Sequence, residues 1–173
     1  MGHYAADTSV STEKSKAEIE TTLRRYGADQ FMSGWKDGQA AIQFRVKAKM
    51  VRFVLPLPDE KADEFQKGGC VRSSYHSEDR SHISHSRGCF AQRPADVAAR
   101  VWEQACRQRW RALALAIKAK LEAVECGITS FEEEFLAHLV IPGQGGKTVG
   151  QLMLQRVEDS YAGKPLAIEW NGK

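Results

Sequence analysis

Between Cys70 and Cys89 the chain spaces two thiols and three imidazoles as C-x5-H-x5-H-x2-H-x3-C, with His76, His82 and His85 inside. Two thiolates and two imidazoles complete a tetrahedral zinc site, so Cys70, His82, His85 and Cys89 are candidate metal ligands. Only the H-x2-H and H-x3-C steps are short enough to chelate by themselves. Bound zinc would order a stretch that has no core of its own. The alternatives are a flexible insertion rich in Ser, His and Arg, or a disulfide between Cys70 and Cys89.

A second constellation is cationic. On a wheel turning about 100° per residue, Arg100, Arg107, Arg111 and Lys118 share one stripe, placed opposite the apolar face. Such a stripe can follow a phosphate backbone; the competing reading is a solvated helix face. Arg45, Lys47 and Arg52, on the outer side of two expected strands, add to the basic surface. Arg109 and Lys120 differ, because they project among Trp102, Ala105, Leu113 and Ala116, where a cation needs an anion. The acidic run at Glu132 to Glu134 or a bound phosphate would supply it. Glu134 and His138 stand four apart, a spacing that chelates a metal or pairs an acid with a base. Arg109, Lys120, Glu134 and His138 would form a pocket only by converging.

The run from Gly143 to Thr148 resembles a P-loop in outline. It lacks the four-residue spacer, and Ile141 occupies the required glycine position, so a tight turn and a threonine cap account for it. No serine or cysteine nucleophile with a base is evident.

These residues need elements to hold them. The longest regular run, Pro94 to Cys126, repeats Val97, Val101, Ala105, Cys106, Trp110, Leu113, Ile117, Leu121 and Val124 at three- and four-residue steps, which predicts one long core helix. Upstream, Ser11 or Thr12 caps a first helix bearing Ile19, Leu23 and Tyr26, stopped at Gly27. Alternation through Phe31, Ser33 and Trp35, then Asp37-Gly38, then Ala40 to Val46, predicts a hairpin. A third strand runs from Met50 to Leu55 and ends at Pro56. Residues 59–93 show no period and read as an irregular Cys/His-rich loop. Downstream come a short acidic helix after Thr129 or Ser130, a strand at Leu139 to Ile141, and a last helix capped by Thr148.

The fold class expected is therefore α+β: a small antiparallel three-stranded sheet packed against one long central helix, with additional C-terminal helices, in a single domain over residues 1–173. Its first part shares the α-β-β-β-α order of a double-stranded-RNA-binding domain, without that family's lysine cluster.

Charge is uneven along the 173 residues. Residues 1–66 hold ten Lys/Arg and ten Asp/Glu, residues 67–120 eleven and four, and residues 121–173 four and eight. A basic middle suits a polyanion partner, and it equally suits pairing with acidic elements of the same chain. No apolar run reaches the roughly 18 residues of a membrane span, and the N-terminus shows no secretory signal. A cytoplasmic protein with reduced cysteines is expected.

The strings LRRYGAD, RFVLPLP, WEQACRQRWRALALAIKAKLEAVE, FEEEFLAHLVIP and KTVGQ together resemble an uncharacterised family of bacteriophage and prophage proteins carried on mobile elements. The resemblance spans most of residues 7–160, and residues 68–88 depart from it. It implies a context of nucleic acid or host defence, and attaches no activity. The leading expectation is a non-enzymatic accessory protein that binds nucleic acid, DNA or RNA, through the basic helix stripe and basic loop. The alternative is a protein–protein interaction module, such as an anti-CRISPR-like inhibitor of host defence acting on a host or phage protein. A small enzyme with a pocket around Arg109 and His138 is the third.

Overall fold

The computed structural model of the protein describes residues 5, 7–36, 38–68 and 92–163. Helix α1 (Thr12–Arg25) starts where the Ser11 hydroxyl accepts the Lys14 amide at 3.2 Å, and it ends at Gly27, whose φ of +84° suits a residue without Cβ. Its buried residues, Ser15, Ile19 and Leu23, fall at four-residue steps on one face. Strands β1 (Ala28–Lys36), β2 (Gln39–Val46) and β3 (Lys49–Pro56) follow as an antiparallel meander in the order β1-β2-β3.

Alternation along β2 decides which face is buried. Ala40, Ile42, Phe44 and Val46 point inward, and the register sets Ile42 opposite Phe53 and Phe44 opposite Val51. Onto that face packs helix α3 (Ala95–Glu125), one residue shorter at each end than the sequence suggests, through Trp110, Ala114, Ile117 and Leu121. At 31 residues it is about 46 Å long. Helix α1 lies along α3 on the same side of the sheet. Helix α4 (Phe131–Phe135) is only five residues long, and a complete capping box between Ser130 and Glu133 holds it. It inserts Phe135 edge-on to Phe44 and Phe53, with centroids 6.1 and 6.2 Å apart. Burying a side chain such as Phe44, Phe135 or Ile117 contributes about 1.5–3 kcal/mol. The fold class is thus the expected α+β arrangement.

Three local expectations change. Within 59–93, residues Asp63–Gln66 form helix α2, which buries Phe65, and Lys67 bridges Gln92 to close the base of the stretch. Instead of a strand at Leu139 to Ile141 there are single bridges, Leu139 to Val51 and Val140 to Thr148, because a 3₁₀ turn at Leu136–His138 delivers the chain to the end of β3 for only two residues. Helix α5 (Val149–Tyr161), capped by Thr148 as expected, has no buried residue and packs chiefly on that 3₁₀ turn. No helix among the described residues is long and apolar enough to cross a membrane.

Candidate interaction surface on the open face of the sheet

The basic stripe of α3 does not lie opposite the core. Its apparent centre came from Val97, Val101 and Ala105, which line a shallow groove with Phe65 of α2 and stand off the main core stripe. The stripe is instead rotated onto the flank where α1 packs. There Arg111 bonds Glu18 of α1, Arg107 bonds Glu103 at 2.6 Å and Arg100 bonds Asp96 at 2.8 Å. Of the four, only Lys118, exposed, makes no ion pair among the described residues. Carboxylates of the same chain already meet the charge that a phosphate backbone would use.

The four pocket residues do not assemble. Lys120 finds Glu134, donating to its carboxylate at 2.9 Å and its carbonyl at 3.0 Å, so the acidic helix is its anion. His138 lies beside them, stacked on Phe53 with centroids 3.9 Å apart. Burial, and then the Lys120 charge, hold its pKa below the usual histidine value, while a hydrogen bond with the Arg52 backbone opposes them. Arg109 stands apart, eleven residues or about 16 Å along α3 from Lys120. Its guanidinium donates to the Pro56 carbonyl. The zinc ligands expected at Cys70, His82, His85 and Cys89 lie outside the described residues. Among the described residues no group of three or more His, Cys, Asp or Glu could hold a metal.

What the structure presents instead is the side of the sheet turned away from the helices. The register places Gln30, Met32, Gly34 and Lys36 of β1, Gln39, Ala41, Gln43 and Arg45 of β2, and Met50, Arg52 and Val54 of β3 on that side. Met32 is 62% exposed and Val54 43%. With Gly34, Ala41 and Gln43 they line an open groove of about 450 Å³. Trp35, 83% exposed, borders its end, but its register opposite Ala40 puts it on the helix side, where it lines a second groove with Trp102 and Trp110. Exposed apolar side chains gathered on one strip are the kind of surface that interfaces bury.

Two of the three cations of this face, Arg45 and Arg52, are held differently. Arg45 forks onto Asp29 at 2.8 Å, and that pairing keeps the Asp29 carboxyl below its ordinary pKa. Arg52 is held by neutral groups: Nε and Nη2 donate to Gln43 Oε1 at 3.2 and 3.0 Å, and Nη1 donates to the Gly146 carbonyl at 2.7 Å. Lys47 sits at the β2–β3 turn with φ of +49°, exposed and off the face.

The edges of the sheet also differ. Along β3, Val140 donates to the Met50 carbonyl at 2.8 Å. Along the outer side of β1, no backbone hydrogen bond is made among the described residues, and seven of its nine residues are exposed. Alternation alone separates the two faces of the sheet, but which face stays bare depends on where the helices pack, and no local pattern announces that. The chain matches no protein-family model, no curated protein and no solved structure.

Proposed function

We propose that this protein is a non-enzymatic binding module that seats a partner polypeptide on the open face of its sheet. The observation that carries this reading is the bare apolar strip of Met32, Ala41 and Val54, with Met32 62% and Val54 43% exposed. Covering Met32 and Val54 would contribute about 2 kcal/mol each. The phage-like strings give the context of a host or phage protein met in the cytoplasm. Panning a random peptide library against the protein tests the reading. Enriched peptides should shift the Met32 methyl resonance, and Met32→Glu should weaken them at least about tenfold. Enriched peptides that leave that resonance unmoved, and that bind Met32→Glu equally well, would overturn it.

Nucleic acid is the second reading. Its support is that Arg52, Arg93 and Arg109 bond to neutral acceptors and have no carboxylate partner among the described residues. A gel shift that weakens steeply across a salt series would favour it.

A further inference from the structure

Two kinds of bonded arginine occur among the described residues. Arg24, Arg45, Arg100, Arg107 and Arg111 each pair with a carboxylate of their own chain. Arg52 has no carboxylate partner among the described residues, although it is half-buried and bonded through Nε, Nη1 and Nη2. Gln43 and the Gly146 carbonyl fix its plane without cancelling its charge. The fit depends on Gly146. Its φ is +77°, and a Cβ there would stand 3.2 Å from both Nη1 and Nη2. A side chain at 146 would press on the guanidinium by a few tenths of an ångström, and the positive φ also favours glycine there.

The surroundings narrow what such an arginine is for. It opens onto the groove that Met32, Ala41 and Val54 line. The register turns Lys36, Arg45 and Arg52 to this face, and Asp29 meets Arg45 there. A second copy of the chain laid face to face would offer Arg52 no carboxylate from the described residues of this face except Asp29, which Arg45 already holds. A nucleic acid strand would want a row of uncancelled cations, whereas Arg45 is already met by Asp29. One fixed, uncancelled arginine beside an apolar strip fits a polypeptide that brings one carboxylate and apolar neighbours. Arg52 and Val54 are two residues apart on one face of β3, about 6.6 Å. An extended segment alternating acidic and apolar residues has the same repeat.

Resting on the reading of the face as a polypeptide site, we infer that Arg52 selects an acidic partner: an extended segment whose carboxylate docks on the guanidinium while the apolar residue two positions away covers Met32 and Val54.

The test uses the full chain, with methionine methyls labelled, and four probes. These are a blocked decapeptide alternating glutamate with leucine, its glutamine and lysine counterparts, and a ten-nucleotide single strand. The glutamate peptide should shift the Met32 methyl and bind at least about tenfold tighter than the glutamine peptide. Arg52→Gln should erase that difference. The glutamine peptide varies the charge on an unaltered protein, so the comparison holds even if Arg52→Gln disturbs the turn at Gly146. Equal binding of glutamate and glutamine peptides, both weakened by Met32→Glu, would overturn the acidic selection and leave the polypeptide site standing. Failure of every peptide to shift Met32 would overturn both. An oligonucleotide that shifts Met32 and outcompetes the glutamate peptide would assign the arginine to phosphate and overturn the inference.

Discussion

Lys47 and Ala48 carry the tight turn between β2 and β3 with φ of +49° and +63°, a region that costs an L-residue about 1–2 kcal/mol. Two-residue hairpin turns of this hand favour Asn-Gly, which takes those angles readily. The double change Lys47→Asn and Ala48→Gly should therefore stabilise the protein by about 1–2 kcal/mol, read as a higher urea midpoint. A second residue-scale consequence concerns acid. His138 keeps its folded pKa below the unfolded value, so above about pH 6.5 both states are neutral and stability is complete. As pH falls through that value the unfolded chain takes the proton first, and stability declines down to the folded pKa. Urea midpoints measured from pH 7.5 to 5 should fall for the wild type and fall less for His138→Gln. The lowered carboxyls of Asp29, Glu132 and Glu133 lose their contribution in a separate window, at lower pH.

Helix α5 shows how an element can depend on one contact. It buries no residue, yet Gly150 sits so close to the 3₁₀ turn that a Cβ would stand 2.8 Å from the Ala137 carbonyl oxygen. That neighbour is backbone and cannot swing aside. Gly150→Ala should detach α5, and amide exchange across Val149–Tyr161 should rise while that of α3 stays unchanged. The start and stop signals of the elements were local and so could be read directly: Ser11, Gly27, the Ser130–Glu133 and Thr148–Gln151 boxes, and Pro56. What could not be read was tertiary. Helical spacing put Arg107 and Arg111 on one stripe, but only the docking of α1, which brings Glu18 to Arg111, decides that the stripe is an internal ion-pair seam. The turn at Lys47-Ala48 was equally silent, since neither residue advertises positive φ. Helix α2 carries no periodic signal, because four residues are too few to hold one.

At the scale of the whole molecule, helices cover one side of the sheet and carry most of the self-cancelling charge, while on the bare side Arg52 has no carboxylate partner among the described residues. The formal net charge of +3 therefore describes no single surface. Lys120 did find the acidic helix, as its position among apolar neighbours required, whereas Arg109 met a carbonyl. The candidate site itself was half legible: Arg52 stood out as an outward cation, but Gln43 and Gly146, which aim it, are 9 and 94 residues away in sequence.

The outer side of β1 has a further consequence for the protein in isolation. A long strand with unused amides and carbonyls on one side is a template on which another copy can extend the sheet, and repetition makes a fibre. Like charge on the bare face opposes this at low ionic strength, and salt removes that opposition. The purified chain should stay clear in dilute buffer and scatter light as salt is raised toward 1 M. Ser33→Lys, placing a charge at the middle of the strand, should keep it clear throughout.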